Sequence, residues 1–187
     1  MAGKASDLKK GNFIVIENDP YVVMSLSHSH IGRGGAVFQT KIRNLRTGNI
    51  LERNFKPGDP IEEAWISKMQ AVFAYEKRGE YWFHEEGNPA SRFSLPGDAL
   101  GDKAGYLKPN MEVVALKFGE KVINVELPVK ADYKVIESPP NIRGNTADAG
   151  RKVVTIETGA KINVPLFIQE GDVIRINTET GEYAERV

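Results

Sequence analysis

Hydrophobic and polar positions alternate over short runs of this chain, and clusters of glycine, proline, asparagine and aspartate separate the runs. Alternation with a period of two is typical of half-buried β-strands, and such clusters are typical of turns. We therefore predict an all-β protein built of short strands. In the first third of the chain the predicted strands are residues 12–17, 21–26, 36–43 and 50–55.

The first two runs predict a tight hairpin. Asn18 and Asp19 lie between them, where their side chains can bond the turning backbone, and Pro20 fixes φ on the exit from the turn. In the third run, successive side chains point to opposite faces of the strand. Lys41 and Arg43 therefore share a face that we expect to point outward, opposite the face formed by Phe38, Thr40 and Ile42.

The runs fall into three groups, which predict three small barrels. A composition shift near residues 60–64 ends the first unit, and Leu127-Pro128 opens the third, so the predicted domains are residues 1–64, 65–127 and 128–187. Residues 94–108 carry three glycines and predict a loop with at most one short helix. The spacing of the later strands suits five-stranded barrels of the oligonucleotide-binding (OB) type. Those strands are residues 71–76, 80–84, 111–118, 121–126, 133–137, 153–157, 161–165, 173–177 and 183–187.

Composition narrows the possible functions. The chain has no cysteine and three histidines, which removes thiolate metal sites and cysteine nucleophiles. No apolar run approaches the roughly 18 to 20 residues that span a bilayer, and the N-terminus lacks the apolar centre of a secretory signal. We therefore expect a cytoplasmic protein with no membrane partner.

Net charge is zero, but basic residues concentrate between positions 28 and 56, where Glu52 is the one acid. Such a local patch can contact nucleic-acid phosphates, since each neutralised phosphate releases counterions. A solvated basic face with no partner is the alternative. The predicted RNA-facing patch consists of Lys41, Arg43, Arg46 and Arg53.

A glycine-rich segment precedes this patch. Arg33 is flanked by Gly32, Gly34 and Gly35, and glycines remove side chains from the approach path while Arg33 supplies planar donors for phosphate or base edges. The alternative is a hairpin turn whose arginine only keeps it soluble. A dinucleotide-binding loop is a weaker interpretation, because Val37 occupies the third glycine position.

A second polar turn, Gly144-Asn145-Thr146, lies in the third unit and offers backbone donors to a nucleotide, although an ordinary Asn/Gly turn explains it as well.

Two histidines, His28 and His30, could share a metal, but no third ligand is identifiable, and we expect no metal and no cofactor. Adjacent strand residues point to opposite faces, which argues against joint acid–base use of His84-Glu85-Glu86. The aromatic residues that could form a stacking platform are Tyr75, Tyr81, Trp82 and Phe83, of which the alternation places at least one in the core.

Two distant stretches carry a family resemblance. Residues 31–36 and 40–48 resemble the N-terminal domain of bacterial elongation factor P, and residues 157–183 resemble its C-terminal signature. The resemblance implies three β-barrel domains in an L shape like tRNA, the first SH3-like and the other two OB barrels. It also implies a non-enzymatic, monomeric factor that binds the 70S ribosome between the peptidyl and exit tRNA sites. There it would hold the peptidyl-tRNA and promote peptide-bond formation at consecutive prolines.

The resemblance also implies roles for both loops. Arg33 with Gly32, Gly34 and Gly35 would face the CCA end of the tRNA, and Gly144, Asn145 and Thr146 would face the exit-site codon. Ile31 and Arg33 stand where the common family loop has proline and a modified lysine. An arginine subclass carries rhamnose at this position, so a loop-modifying enzyme is an implied partner of Arg33. A factor-P-like paralogue with a different stalling substrate stays open as an alternative, and a barrel enzyme would need a titratable cluster that the sequence does not offer.

Overall fold

The computed structural model describes residues 2–30, 36–139 and 150–187. Within these ranges the chain is almost entirely β, arranged as three sheets, so the predicted all-β class is confirmed. Each sheet uses one of three consecutive stretches of the chain, while the division at residues 64 and 127 and the L-shaped arrangement stay predictions. No helix in the described ranges is long and apolar enough to cross a membrane.

The first sheet has six strands in the order β1-β6-β2-β3-β4-β5. All of its neighbouring strands are antiparallel. Its core contains Ile14, Val23, Phe38, Ile42 and Phe55. The strands are β1 (Ala2–Lys4), β2 (Phe13–Ile16), β3 (Asp19–His30), β4 (Ala36–Asn44), β5 (Ile50–Phe55) and β6 (Pro60–Glu63), with a 3₁₀ turn at Ala5–Asp7.

The first turn lies one residue earlier than predicted. Ile16 pairs with Asp19, so Glu17 and Asn18 form a two-residue turn, with φ values of 51° and 70°. Positive φ at both central positions gives the turn whose twist matches a right-twisted hairpin, and asparagine tolerates it well. Asp19 instead begins β3, and its carboxylate accepts a hydrogen bond from the Asn44 amide at 3.1 Å.

The second and third sheets share one topology. Their orders are β11-β10-β7-β8-β9 and β14-β13-β12-β15-β16, so the first strand of each is central. The third and fifth strands of each also approach one another, which closes the barrel in the manner of an OB fold. The strands are β7 (Ile66–Lys77), β8 (Glu80–Glu85), β9 (Asn88–Pro96), β10 (Glu112–Phe118), β11 (Lys121–Glu126), β12 (Lys130–Glu137), β13 (Arg151–Ile156), β14 (Lys161–Pro165), β15 (Val173–Asn177) and β16 (Glu182–Arg186).

Residues 94–108 hold more regular structure than a loop with at most one helix. They contain the end of β9, a single helical turn α1 (Gly97–Leu100) and a 3₁₀ helix (Gly101–Tyr106). Ala99 and Leu100 are buried, and Leu107 joins the same core. Burial of these apolar residues orders a segment whose glycines had indicated a loop.

One hydrophobic core runs through the second and third sheets. In the second sheet the Phe83 ring stacks on Phe93 and contacts the tilted ring of Phe73. Tyr133 connects the two barrels by donating a hydrogen bond to the Tyr106 carbonyl at 2.8 Å. Burial raises the pKa of the Tyr133 phenol. A separate small cluster of Leu45, Leu116 and Ile123 joins the first sheet to the second.

Candidate nucleic-acid interface

The longest hairpin of the first sheet is formed by β3 and β4. Its register runs from Tyr21 opposite Asn44 to His30 opposite Ala36, with one bulge between Val23 and Ser25. The predicted loop residues Gly32, Arg33, Gly34 and Gly35 follow the last pair and lie outside the described residues. The hairpin stem therefore carries this segment at its end.

The stem continues past the core of the first sheet. Phe38 pairs with Phe55 and is 9% exposed, whereas two further pairs of the β3–β4 ladder lie beyond it. Two residues of strand add about 7 Å. The rings of His28 and Phe38 pack edge to face at the base of this projection, with ring centroids 4.6 Å apart.

Strand register divides the four predicted basic residues. Lys41 pairs with Glu52 across the β4–β5 ladder, and its Nζ lies 3.2 Å from Glu52 Oε1 on the outer face. Arg53 pairs instead with Thr40, whose side chain is buried on the inner face. Arg53 is exposed at the sheet edge, with its guanidinium 5.7 Å from the centre of the Phe55 ring. Lys41 and Arg53 thus belong to opposite faces of the first sheet.

Arg43 and Arg46 lie where the first sheet meets the second. Arg43 shares the outer face with Lys41 and is half-buried, and its Nε has no hydrogen-bond partner within the described ranges. Arg46 lies in the β4–β5 turn, 3.4 Å from the Asp19 carboxylate and 5.9 Å from the centre of the Phe118 ring. Lys41 therefore lies on the exposed part of the outer face, whereas Arg43, on the same face, and Arg46 lie at the domain junction.

Lys103 adds a cation to this junction that the sequence did not indicate. Its Nζ donates a hydrogen bond to the Val125 carbonyl at 3.0 Å. Burial lowers the pKa of Lys103, and the positive charge of Arg43 lowers it further, while Glu126 and Glu179 act in the opposite direction. The residue lies in the 3₁₀ helix of a segment that we had predicted as mostly loop, so no local signal marked it.

The second predicted loop joins β12 to β13, the position of a loop that binds ligands in OB folds. Gly144, Asn145 and Thr146 lie outside the described residues. Its two stems are tied together: Thr155 Oγ1 donates to Glu137 at 3.0 Å, and Lys152 Nζ donates to the Pro139 carbonyl at 3.4 Å. The loop therefore starts and ends on a fixed base.

The aromatic residues of the second sheet divide as alternation requires. Phe83 is fully buried and Tyr81 packs on the core, whereas Tyr75 and Trp82 form a stacked pair on the other face with centroids 6.2 Å apart. His84 Nδ1 lies 3.0 Å from the Glu85 carbonyl oxygen, a backbone contact. Nowhere in the described ranges do three histidine, aspartate or glutamate side chains form a group that could hold a metal.

Two family profiles and several known proteins are similar in sequence to this chain. A profile described as "Elongation factor P (EF-P) KOW-like domain" matches residues 4–61, and one described as "Elongation factor P, C-terminal" matches residues 131–186. Elongation factor P of Persephonella marina is 41% identical over 97% of this chain and 95% of its own length, and that of Moorella thermoacetica is 39% identical over 97% of both chains. The chain belongs to the elongation factor P family.

Other relatives and structures extend the comparison. "Elongation factor P 2" of Geobacter sulfurreducens is 37% identical over 97% of both chains. A solved structure titled eukaryotic translation initiation factor 5A, from Methanococcus jannaschii, aligns over 67% of this chain and 95% of its own, with a TM-score of 0.47 and 17% identity.

Membership of the elongation factor P family confirms the resemblance drawn from the sequence and makes the chain a translation elongation factor. The family interacts in general with the ribosome and tRNA. The N-terminal match covers the whole β3–β4 hairpin and the turn after it, and the C-terminal match covers both stems of the β12–β13 loop. Both predicted loops thus fall within regions that the elongation factor P profiles recognise.

Proposed function

We propose that this chain binds the ribosome as a monomer between the peptidyl and exit tRNA sites and promotes peptide-bond formation at consecutive prolines. It performs no bond-making chemistry itself. It restricts the peptidyl-tRNA, and the RNA centre of the ribosome makes the bond. The support is membership of the elongation factor P family together with a β3–β4 hairpin that extends past the core of the first sheet.

The β3–β4 hairpin is the observation that carries this proposal. The stem rises two residue pairs past the last core pair and ends on the glycine-flanked Arg33. A thin double strand can pass between RNA walls that a whole barrel could not enter. In our proposal Gly32, Arg33, Gly34 and Gly35 approach the CCA end of the peptidyl-tRNA.

Positioning alone is strong enough for this task. Proline is a poor participant in peptide transfer, because its ring fixes φ and its nitrogen is a secondary amine. A hundredfold rescue needs about 3 kcal/mol. Full orientation of reactants can save about 7–11 kcal/mol, so partial restriction of the peptidyl-tRNA suffices.

The basic residues would hold the factor in place. Lys41 and Arg43 share the outer face of the hairpin stem and would contact RNA phosphates, with Arg53 on the opposite face and Arg46 at the junction. Gly144, Asn145 and Thr146 would approach the exit-site codon from the far end of the chain. Two separate contacts would then set both the position and the orientation of the factor.

Translation of a reporter with consecutive prolines tests the proposal. The reconstituted reaction would contain no factor, the native protein, Arg33→Ala or the matched control Arg92→Ala, which removes an exposed arginine of the second sheet. We expect rescue by the native protein and by Arg92→Ala, and loss with Arg33→Ala. Ribosome binding without rescue would refute the polyproline function and favour the paralogue alternative.

Arg33 modification requires a separate measurement. We propose that Arg33 carries rhamnose, added by a dedicated enzyme, because a guanidinium is not a competent amine nucleophile for the lysine-type modification. Intact-mass analysis of protein from its native cells should show one added deoxyhexose, which Arg33→Ala abolishes. An unmodified native mass would show that the arginine works bare.

A further inference from the structure

Asn124 connects the first sheet to the second. It lies on β11, is 5% exposed, and its amide nitrogen donates two hydrogen bonds, to the Leu45 carbonyl at 2.9 Å and to the Ala99 carbonyl at 3.0 Å. Its side-chain oxygen accepts from the Val125 amide at 2.8 Å. Both donors of this buried amide and one of the two acceptor sites of its oxygen are therefore used, and the bonds join β11, α1 and the turn after β4.

The turn that Asn124 holds is itself rigid. Asn44 Oδ1 accepts hydrogen bonds from the amides of Arg46 and Thr47 at 2.8 and 3.1 Å, and the Asn44 carbonyl accepts from Gly48 at 2.9 Å. Leu45 still belongs to the ladder, since its amide donates to the Pro20 carbonyl at 2.9 Å. A force applied at the turn is thus transmitted to the strands.

Three further contacts surround the Asn124 bonds. Leu45 packs with Leu116 and Ile123 in the junction cluster. A Cβ added to Gly48 would lie 3.2 Å from the Asp98 carbonyl, so the turn backbone rests directly on α1. The guanidinium of Arg46 lies over the Phe118 ring. These three contacts come from the β4–β5 turn, which together with Phe13 and Val22, packed against the same cluster, attaches the first sheet to the second.

Strand β4 connects the two regions: the β4–β5 turn follows its last residue, and the glycine-rich segment 32–35 precedes its first. From Leu45 back to Ala36 the chain advances nine residues along β4 and its extension, a lever about 30 Å long. A tilt of about 2° at the junction moves the far end by about 1 Å, and a misplacement of that size can cost about a hundredfold in rate. The position of the hairpin tip therefore depends on the angle between the first and second sheets at the junction.

We propose that Asn124 is a positioning residue that fixes the angle between the β3–β4 hairpin and the second sheet, and thereby the place of the hairpin tip at the peptidyl-tRNA. The mechanical part of this proposal stands on the hydrogen bonds alone. The functional part rests on the proposed function above.

Spin-label distances measure the junction directly, and the cysteine-free chain gives a clean background. One label pair joins exposed Gln39 on β4 to exposed Glu86 in the β8–β9 turn of the second sheet, and a control pair joins Glu86 to exposed Lys121 on β11 of that sheet. Asn124→Leu keeps the side-chain size and removes both donors. We expect it to broaden the first distance distribution by several ångströms and to leave the second unchanged.

Thr178→Val is the matched control variant. Thr178 is also buried, and its hydroxyl donates to the Pro128 carbonyl at 2.7 Å, a bond within the third unit rather than between the first and second sheets. We expect no broadening of either distance distribution in this variant. Asn124→Ser, which keeps one donor for two carbonyls, should give an intermediate width and serves if Asn124→Leu does not fold.

The reporter assay then connects the angle to activity. With saturating factor we expect Asn124→Leu to reduce the proline-dependent rate by about tenfold or more, while the half-saturating concentration changes less than twofold. Thr178→Val should match the native protein. An unchanged distance distribution in Asn124→Leu, or a broadened one with full activity, would overturn the proposal. Failure of the native protein to rescue the reporter would refute the proposed function instead, and the distance comparison would still decide the mechanical part.

Discussion

Gly181 lies where the third sheet meets the 3₁₀ helix of the second, and its replacement by alanine tests that contact. Its φ is +73°, and an added Cβ would lie 2.6 Å from the Tyr106 hydroxyl oxygen. Gly171 provides a matched control, because its φ is +91° and no atom lies within 4 Å of its added Cβ. The two substitutions share backbone strain and differ in the clash.

Backbone strain should cost each variant about 1–2 kcal/mol, since L-residues disfavour the left-handed region. In Gly181→Ala the Tyr106 hydroxyl must also retreat by about 0.8 Å, from 2.6 Å to the 3.4 Å where ordinary contact begins. Tyr106 packs against Tyr133, with ring centroids 6.3 Å apart, so this movement disturbs the core between the barrels. Overpacking of this kind costs about 1–3 kcal/mol in addition.

Urea unfolding followed by tryptophan fluorescence and by circular dichroism measures both losses. The core shared by the second and third sheets predicts coincident transitions. Tyr106→Phe removes the clashing atom and leaves the ring carbon at 3.7 Å, an ordinary contact. Adding it to Gly181→Ala should return the loss to that of Gly171→Ala. Equal losses in the two single variants would refute the reasoning.

Three further predictions concern charge and core packing. The hydrogen bond from Arg175 holds the pKa of Asp132 below its ordinary value, so the stability advantage of the native protein over Asp132→Asn should be present at pH 7 and shrink as pH falls below about 3.9, as thermal unfolding across pH would show. Burial and the nearby charge of Arg43 lower the pKa of Lys103, so an NMR titration should place its midpoint below that of exposed lysines, and Arg43→Gln should raise it. Phe83→Ala removes a fully buried ring between two others and should cost about 3–5 kcal/mol in urea unfolding, whereas a cost under about 1 kcal/mol would contradict the packing described here.

Strand faces were predictable because they depend on neighbouring residues alone. The alternation in residues 36–43 placed Phe38, Thr40 and Ile42 on the inner face, and all three are buried. Alternation likewise divided the aromatic residues of β8, where Phe83 is buried and Trp82 faces the other side. A period of two is a property of the extended backbone, so distant parts of the chain cannot change it.

Elements held by distant partners were missed. β1 and β6 have three and four residues and are strands because they pair with each other. β9 contains Pro89 and polar residues, and its pairing with β8 fixes it. The predicted position of the first hairpin turn was wrong by one residue. Asp19 lies outside the turn, where its carboxylate accepts a hydrogen bond from the Asn44 side chain and forms an ion pair with Arg46. Such partners have no signature in the local sequence.

Loops were predictable from the sequence and the domain junction was not, because loops have a local composition and the junction joins distant residues. The glycine-rich segment 32–35 predicts a loop from neighbouring residues alone. Asn124 and Leu45, which are 79 positions apart, meet only in the folded chain. The glycine-rich loop follows a strand about 30 Å long, so its position depends on the angle at the domain junction where that strand is attached. If this factor works by positioning, substitutions at the buried junction should therefore reduce its activity as strongly as substitutions in the glycine-rich loop, and a mutational scan of the β4–β5 turn and β11 should find them.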